Sequence, residues 1–281
     1  MADILQPIVF AALLWWFGTG AILWLVGLPR RTFKWTALGA TVLLAGATVA
    51  LMTLREETGL AAAYAGFAAG VALWAWHEVM FLFGYISGPR KSPCPPGLAA
   101  WPRFVVSTKT VIHHELVIAI HAGLILIMSW GAANQIAAWT FFLLWGMRIS
   151  AKLVVFFGAP NIADGFLPAH LGYLKTYFQK RSLSTFAPIA LTLVTSAAAA
   201  IIYQAASAPL GDFASAGLIM IGALAALAVL EHWALVLPLS AFQTDAALWK
   251  WAMRQPKPVM PKSATPNPVT TKTASSEWRQ R

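Results

Sequence analysis

The chain has 281 residues, of which 59% are hydrophobic and 11% are charged, and its formal net charge is +10. Soluble domains carry about 25% charged residues, so this composition excludes a soluble globular protein and indicates an integral membrane protein. The positive residues lie in loops and in the tail, which argues against nucleic-acid binding, and the single cysteine, Cys94, excludes an internal disulfide.

Seven apolar segments are long enough to cross the roughly 30 Å hydrocarbon core of a bilayer. In chain order they are residues 5–27, 35–54, 60–86, 110–129, 136–157, 186–205 and 213–238. The third is overlong and is expected to tilt or to extend beyond the bilayer. The predicted fold class is therefore all-α: a polytopic membrane protein with about seven transmembrane helices.

The predicted bundle occupies residues 1–240, and a tail follows over residues 241–281. After about residue 255 the tail is rich in Pro, Ser, Thr and Lys, which predicts disorder. Lys and Arg concentrate in the tail and in the first, third and fifth loops, while the other three loops carry only Arg55. Because positive residues favour cytoplasmic loops, we expect a periplasmic N-terminus and a cytoplasmic C-terminus.

Two of the basic loops are long enough to hold structure of their own. The prolines in residues 88–97 exclude a helix and favour a rigid, turning path. The spacing of apolar residues in 168–180 predicts a short amphipathic helix, which would lie on the membrane surface or cover the bundle. Its apolar face would consist of Leu171, Leu174, Tyr177 and Phe178. His170, at the start of this segment, is expected to be a surface histidine.

Carboxylates inside apolar segments cost roughly 2.5 kcal/mol or more each, so they tend to serve a purpose. Three occur beside histidine, in His77-Glu78, His113-His114-Glu115 and Glu231-His232. His121 lies two helical turns beyond His114, and Arg148 and Lys152 share a helix face at i, i+4 spacing. In the predicted orientation all of these residues fall in the same half of the bilayer. We therefore expect a shared polar layer within the bundle.

Three interpretations of this layer remain open. In the first, the layer is structural: the carboxylates pair with Arg148, Lys152 and the histidines and lock the bundle. In the second, it is a metal site, for which iron is a candidate, because bundle di-iron centres take carboxylate and imidazole ligands from several helices. The candidate metal ligands are Glu78, His114, Glu115, His121, Glu231 and His232. The Glu-x-x-His spacing of such centres does not occur around these residues.

In the third interpretation, a histidine is the axial ligand of a tetrapyrrole with an iron or magnesium centre, packed among the many apolar and aromatic side chains. The candidate ligands are His77, His114, His121 and His232. The chain contains no Gly-rich phosphate loop, GxSxG elbow or Cys/His zinc spacing. The sequence therefore favours a protein that is not an enzyme.

Several short segments are distinctive. They are Trp15-Trp16-Phe17-Gly18-Thr19-Gly20, Gly27-Leu28-Pro29-Arg30-Arg31, Trp76-His77-Glu78, Gly88-Pro89-Arg90, Pro93-Cys94-Pro95, Val111-Ile112-His113-His114-Glu115, Arg148-Ile149-Ser150-Ala151-Lys152-Leu153, Gly158-Ala159-Pro160-Asn161 and Phe166-Leu167-Pro168-Ala169-His170-Leu171. In them the chain resembles a family of purple-bacterial membrane proteins, the photosynthetic complex assembly proteins, over most of residues 10–240. Members of that family are encoded near the reaction-centre H subunit in the photosynthesis gene cluster.

The resemblance implies a role in assembling reaction-centre and light-harvesting complexes, or in the associated bacteriochlorophyll supply. It implies photosynthetic complex subunits or bacteriochlorophyll-synthesis proteins as partners, beside membrane lipid. It also implies a location in the bacterial inner (intracytoplasmic) membrane. It brings neither a mechanism nor binding residues to this chain.

Overall fold

Long helices account for most of the computed structural model, which describes residues 1–162, 165, 167–180 and 183–237. The α-helices of these residues are α1 (Ala2–Val26), α2 (Phe33–Thr53), α3 (Leu60–Leu82), α4 (Ala100–Thr108), α5 (Ile112–Ser129), α6 (Ile136–Phe157), α7 (Phe186–Ser207) and α8 (Phe213–Val236). Short 3₁₀ helices occupy Arg30–Thr32 and Ala169–Tyr177. The predicted boundary at residue 240 and the tail lie outside the described residues.

Seven of the helices, all except α4, are long and apolar enough to cross a membrane, so the prediction of an all-α, multi-pass membrane protein is confirmed. The third predicted span is wrong at its end, because α3 stops at Leu82 and not at residue 86. Gly84 follows with a φ of +79°, which turns the chain away from the helix axis. Phe83, the first residue after the helix, is buried against Phe33, with ring centroids 4.3 Å apart.

The central helix is α3, which packs against α1, α2, α6 and α8. Two of its glycines, Gly66 and Gly70, face α6 at the i, i+4 spacing that lets membrane helices approach closely. A Cβ on Gly70 would lie 2.6 Å from the carbonyl oxygen of Ala137 and 2.7 Å from the Cβ of Thr140. Beside this crossing the fully buried ring of Phe141 packs against Trp74 of α3, with ring centroids 5.8 Å apart. Shape complementarity thus joins α3 to α6.

At one end of the bundle α1, α3, α6 and α8 finish, and α2, α5 and α7 begin. We call it the basic end, because the sequence of its connecting segments 27–34, 83–111 and 158–180 contains nine Lys or Arg against one acidic residue, Asp164. The opposite end carries Asp3, Glu56, Glu57 and Asp212. This asymmetry matches the predicted charge pattern, while the orientation across a membrane stays a prediction.

The second and third of these segments interlock to form a cap over the basic end. Arg90 Nε donates to the Tyr177 hydroxyl at 2.6 Å, and the Cys94 amide donates to Thr176 Oγ1 at 2.8 Å. Arg103 donates to the carbonyl oxygens of Phe156, at 3.2 Å, and of Tyr177. The cap also contains α4, which the sequence had not predicted.

The predicted amphipathic helix is the 3₁₀ helix Ala169–Tyr177, and it covers the bundle. Its residues Leu171, Leu174 and Tyr177 recur every three positions, the period of a 3₁₀ helix, and all three are buried. Leu171 and Leu174 pack on Phe81 of α3. His170, which the sequence places at the surface, is half-buried, and its Nε2 lies 2.9 Å from the carbonyl oxygen of Leu82.

Candidate functional site

The ionisable residues of the spanning helices come together near the basic end. Glu78 lies four residues before the end of α3, Glu115 lies in the first turn of α5, and Glu231 lies five residues before the end of α8. At about 1.5 Å of rise per residue, each of these positions is within roughly 8 Å of its helix end. Arg148 and Lys152, on adjacent turns of α6, lie between the acidic residues. The structure therefore contains the shared polar layer that the sequence predicts.

The first ion pair of the layer joins α3 to α6. Arg148 Nη2 donates to Glu78 Oε2 at 3.0 Å, and 15% of the Glu78 side chain and 39% of the Arg148 side chain are exposed. Glu78 Oε1 and Arg148 Nε are buried without a hydrogen-bond partner in the structure. The pair is therefore close but leaves hydrogen-bonding capacity unused on both sides.

The second ion pair joins α5 to α6. Lys152 Nζ lies 2.5 Å from Glu115 Oε1, and about a quarter of each side chain is exposed. The same ammonium group lies 5.8 Å from the ring centroid of Phe81, within the range of a cation–π interaction. Arg148 pairs with a carboxylate of α3 and Lys152 pairs with a carboxylate of α5, so α6 supplies the cations for two neighbouring helices.

The third carboxylate, Glu231, has no cation at hydrogen-bonding distance among the residues that the structure describes. Its Oε1 accepts a hydrogen bond from Trp15 Nε1 of α1 at 3.3 Å. Arg148 also interacts electrostatically with this carboxylate, although its guanidinium is bonded to Glu78. Glu231 is exposed on the surface of the bundle.

Two of the predicted ligands, His77 and His121, bind each other. His77 Nε2 and His121 Nδ1 lie 3.0 Å apart, so one nitrogen donates and the other accepts. The ring of His114 lies 6.4 Å from that of His77, between centroids, and 4.7 Å from that of Phe81. His77 and His114 are each 1% exposed, and His77 Nδ1 and His114 Nε2 lack a hydrogen-bond partner in the structure.

His232 is held by two hydrogen bonds, one at each ring nitrogen. Its Nδ1 lies 2.8 Å from the carbonyl oxygen of Ala228, and its Nε2 lies 3.1 Å from Ser150 Oγ. The carbonyl can only accept, so Nδ1 carries the proton and the Ser150 hydroxyl donates to Nε2. Both nitrogens of this predicted ligand are thus engaged, Nδ1 within α8 and Nε2 in joining α6 to α8. His113, in contrast, is exposed.

Sequence reasoning missed the hydrogen-bond partners Ser150 and Trp15. Ser150 stands between Arg148 and Lys152 in the chain, and Trp15 belongs to a Trp-Trp pair in a span without acidic neighbours. Neither position carries a periodic signal that links it to a particular residue on another helix. Their roles depend on which helices are neighbours, and the sequence pattern leaves that order open.

The carboxylate and imidazole groups of the polar layer are placed for ion pairs and hydrogen bonds with other side chains and not for binding a metal ion. Within the described part of the chain, no group of three or more His, Cys, Asp or Glu side chains is placed to hold a metal. Glu78 and Glu115 each face a cation that a metal would have to displace. A tetrapyrrole would find unpartnered imidazole nitrogens on His77 and His114, although both rings are buried in packed surroundings.

Seven apolar spanning helices with an ion-paired layer and an interlocked cap define a multi-pass membrane protein of the helical-bundle class. Over residues 1–259 the chain matches the model of DUF3623, a family described as proteins of unknown function, and it belongs to that family. It is 34% identical over 243 residues to the uncharacterized 30.4 kDa protein in the puhA 5′ region of Rhodobacter capsulatus, covering 85% of this chain and 87% of that protein. No solved structure matches the chain.

Proposed function

We propose that this protein is a membrane factor for the assembly of photosynthetic reaction-centre and light-harvesting complexes, or for the associated bacteriochlorophyll supply. The observation that carries the proposal is its similarity, over 85% of its length, to a protein encoded beside puhA in a photosynthesis gene cluster. The resemblance of its motifs to photosynthetic complex assembly proteins supports the same role. Its location would be the inner (intracytoplasmic) membrane, with a periplasmic N-terminus and a cytoplasmic C-terminus.

The ion-paired layer supports an assembly role over an enzymatic one. Two of its three carboxylates bind cations of α6, so they join helices of the bundle, and a metal ion would have to displace those cations. His232 joins α6 to α8 in the same way. Because these interactions hold the helices to one another, we expect the protein to function by binding partners at its surface.

The cap supplies such a surface. Its cations include Lys91, Lys109 and Lys175, which are exposed, and the hydrogen bonds of Arg90 and Arg103 fix the shape of the backbone beneath them. A rigid, cationic face suits the acidic surface of a partner subunit or of a biosynthetic enzyme, because complementary charge speeds and orients association.

A deletion strain tests the proposal. We expect less assembled reaction centre or less bacteriochlorophyll per cell than in the parent, measured by absorption spectra of isolated membranes. Complementation with a Lys91→Gln/Lys175→Gln variant should restore less than the wild-type gene does. A Glu57→Gln variant, altered at an exposed site of the opposite end, is the matched control and should restore fully. Unchanged pigment and complex levels in the deletion strain would contradict the proposal.

A second candidate function is a carrier that binds a tetrapyrrole. It is favoured by the unpartnered nitrogens of His77 and His114 and by the rings of Trp74, Trp76 and Phe141 around His77. The purified protein would then show bacteriochlorophyll or haem absorption that is lost in His77→Ala and kept in His232→Ala. Elemental analysis of the same sample tests for iron, and a colourless, metal-free preparation would remove this candidate together with a metalloenzyme.

A further inference from the structure

Glu231 differs from the other two intramembrane carboxylates in where it points. Glu78 and Glu115 are turned toward α6, whereas Glu231 is exposed. In the part of the chain that the structure describes, its hydrogen bonding consists of the one contact with Trp15 Nε1, at 3.3 Å. A carboxylate can accept about four hydrogen bonds, so most of its capacity is unused.

The surface around Glu231 is apolar. Leu230, next to Glu231 in the chain, is 60% exposed, and these two residues form what we call the outer face of α8. Trp233 is 41% exposed but lies about 160° around the helix from Glu231. The helix has the length and composition of a membrane span, so this face meets acyl chains when nothing else covers it. An ionised carboxylate is unfavourable in that position unless a donor or a cation approaches it.

The charges of the layer leave one carboxylate in excess. Three spanning carboxylates face two spanning cations among the described residues, and hydrogen bonds assign Arg148 to Glu78 and Lys152 to Glu115. Arg148 attracts Glu231 from a distance but remains bonded to its own partner. The unsatisfied charge therefore lies at the surface of the bundle, where a group from outside the chain can reach it.

We infer that the outer face of α8 docks a transmembrane helix of a partner membrane protein, and that this helix presents a Lys or Arg to Glu231. Charge complementarity favours such an occupant, because a Lys or Arg at this depth would form an ion pair with Glu231, and neither charge would then lie unpaired in the membrane. The inference rests on the proposed assembly function, for which it names the kind of partner. Leu230, together with Leu227 and Ala234 one helical turn from Glu231, would supply the apolar contact beside the ion pair.

The probe for this site is a synthetic Leu/Ala transmembrane peptide with one Lys five residues from its end. The full-length protein carries an acceptor dye on Cys94, its single cysteine. Energy transfer is measured from a donor dye on the peptide in dilute proteoliposomes. We expect the Lys peptide to associate roughly tenfold more strongly than a peptide with Leu at that position. Glu231→Gln should abolish the difference, whereas Glu57→Gln, at an exposed site of the opposite end, should leave it unchanged.

Three outcomes would overturn the inference. The first is an equal preference for the Lys peptide in Glu231→Gln, and the second is equal association of the Lys and Leu peptides with the wild type. The third is that the dye on the wild-type protein photobleaches in two steps when no peptide is present, whereas the dye on Glu231→Gln photobleaches in one step. That result would assign the outer face of α8 to a second copy of the chain. Size-exclusion profiles establish that each variant is folded. Loss of the docking site would leave the deletion-strain test of the assembly function unaffected.

Discussion

The two halves of the bundle are held together in different ways. In the half toward the opposite end, α3 meets α6 through glycine and alanine backbones, and Gly70 leaves no room for a side chain. In the half next to the basic end, the same two helices are joined by the Arg148–Glu78 ion pair. The first contact specifies how closely the helices approach, and the second specifies which helices are neighbours. Each kind of contact is broken by a different substitution.

The largest effect is expected at the close crossing of α3 and α6. Gly70→Leu places a side chain where even a Cβ would lie 2.6 Å from the Ala137 carbonyl oxygen, so the helices must separate. We expect a loss of about 3 kcal/mol in the free energy of unfolding, measured by SDS titration in mixed micelles. The matched control is Gly123→Leu on α5, where no atom lies within 4 Å of a Cβ. Equal effects of the two substitutions would refute a steric origin.

A smaller effect is expected at the second ion pair. Lys152→Met leaves Glu115 without its cation in a partly buried site, which we expect to cost about 2 kcal/mol of unfolding free energy. The double variant Lys152→Met/Glu115→Gln removes the orphaned charge as well and should regain most of that loss. The same SDS titration compares the variants. A double variant no more stable than the single one would show that the pair does not act as a unit.

The contrast between the halves also explains what the sequence could predict. Hydropathy located all seven spans to within a few residues, because the length and composition of a span depend on the bilayer. It failed at the end of α3, where apolar Phe83 follows the helix and is buried against residues of α1, α2 and α3. It also missed α4, because a helix of nine residues is too short for a span and lies in a loop interrupted by prolines.

The residues of the polar layer were recognisable from the sequence, but their partners were not. Carboxylates, histidines and cations stood out because each is unusual inside an apolar segment. The pairing of Glu78 with Arg148 and of Glu115 with Lys152 depends on α6 lying beside both α3 and α5. Likewise, His77 and His121 were predicted as ligands, and the structure shows them bonded to each other. These contacts depend on which helices are neighbours in the bundle, and hydropathy and residue spacing in a single sequence do not reveal that order.

A third substitution tests how the cap is fixed to the bundle. Gly84 has a φ of +79°, and a Cβ there would lie 2.9 Å from Cδ2 of His170. Gly84→Ala should therefore displace the His170 ring from the Leu82 carbonyl and cost about 1 kcal/mol or more. Gly97→Ala is the control, because Gly97 has a φ of +72° with open space around it and so carries only the backbone strain. Thermal unfolding of the detergent-solubilised protein should separate the two variants.

The smallest effect is a pH dependence that originates in the cap. Burial lowers the pKa of His170 below its ordinary value of 6.5, and the positive charges of Arg30 and Lys91 add to that shift, while the hydrogen bond to Leu82 opposes it. The folded protein thus binds this proton less readily than the unfolded chain does, so stability is retained above about pH 6.5 and falls as the pH decreases through the folded-state pKa.

His170→Gln isolates this contribution. The glutamine amide can still donate to the Leu82 carbonyl but does not titrate, so the melting temperature of the variant should change less between pH 7.5 and pH 5 than that of the wild type. The quantity to compare is the change in melting temperature with pH in each protein, because other groups titrate in both. Parallel pH profiles would mean that His170 fixes the cap without sensing protons, and would leave its role to the hydrogen bond and to its packing against Phe33.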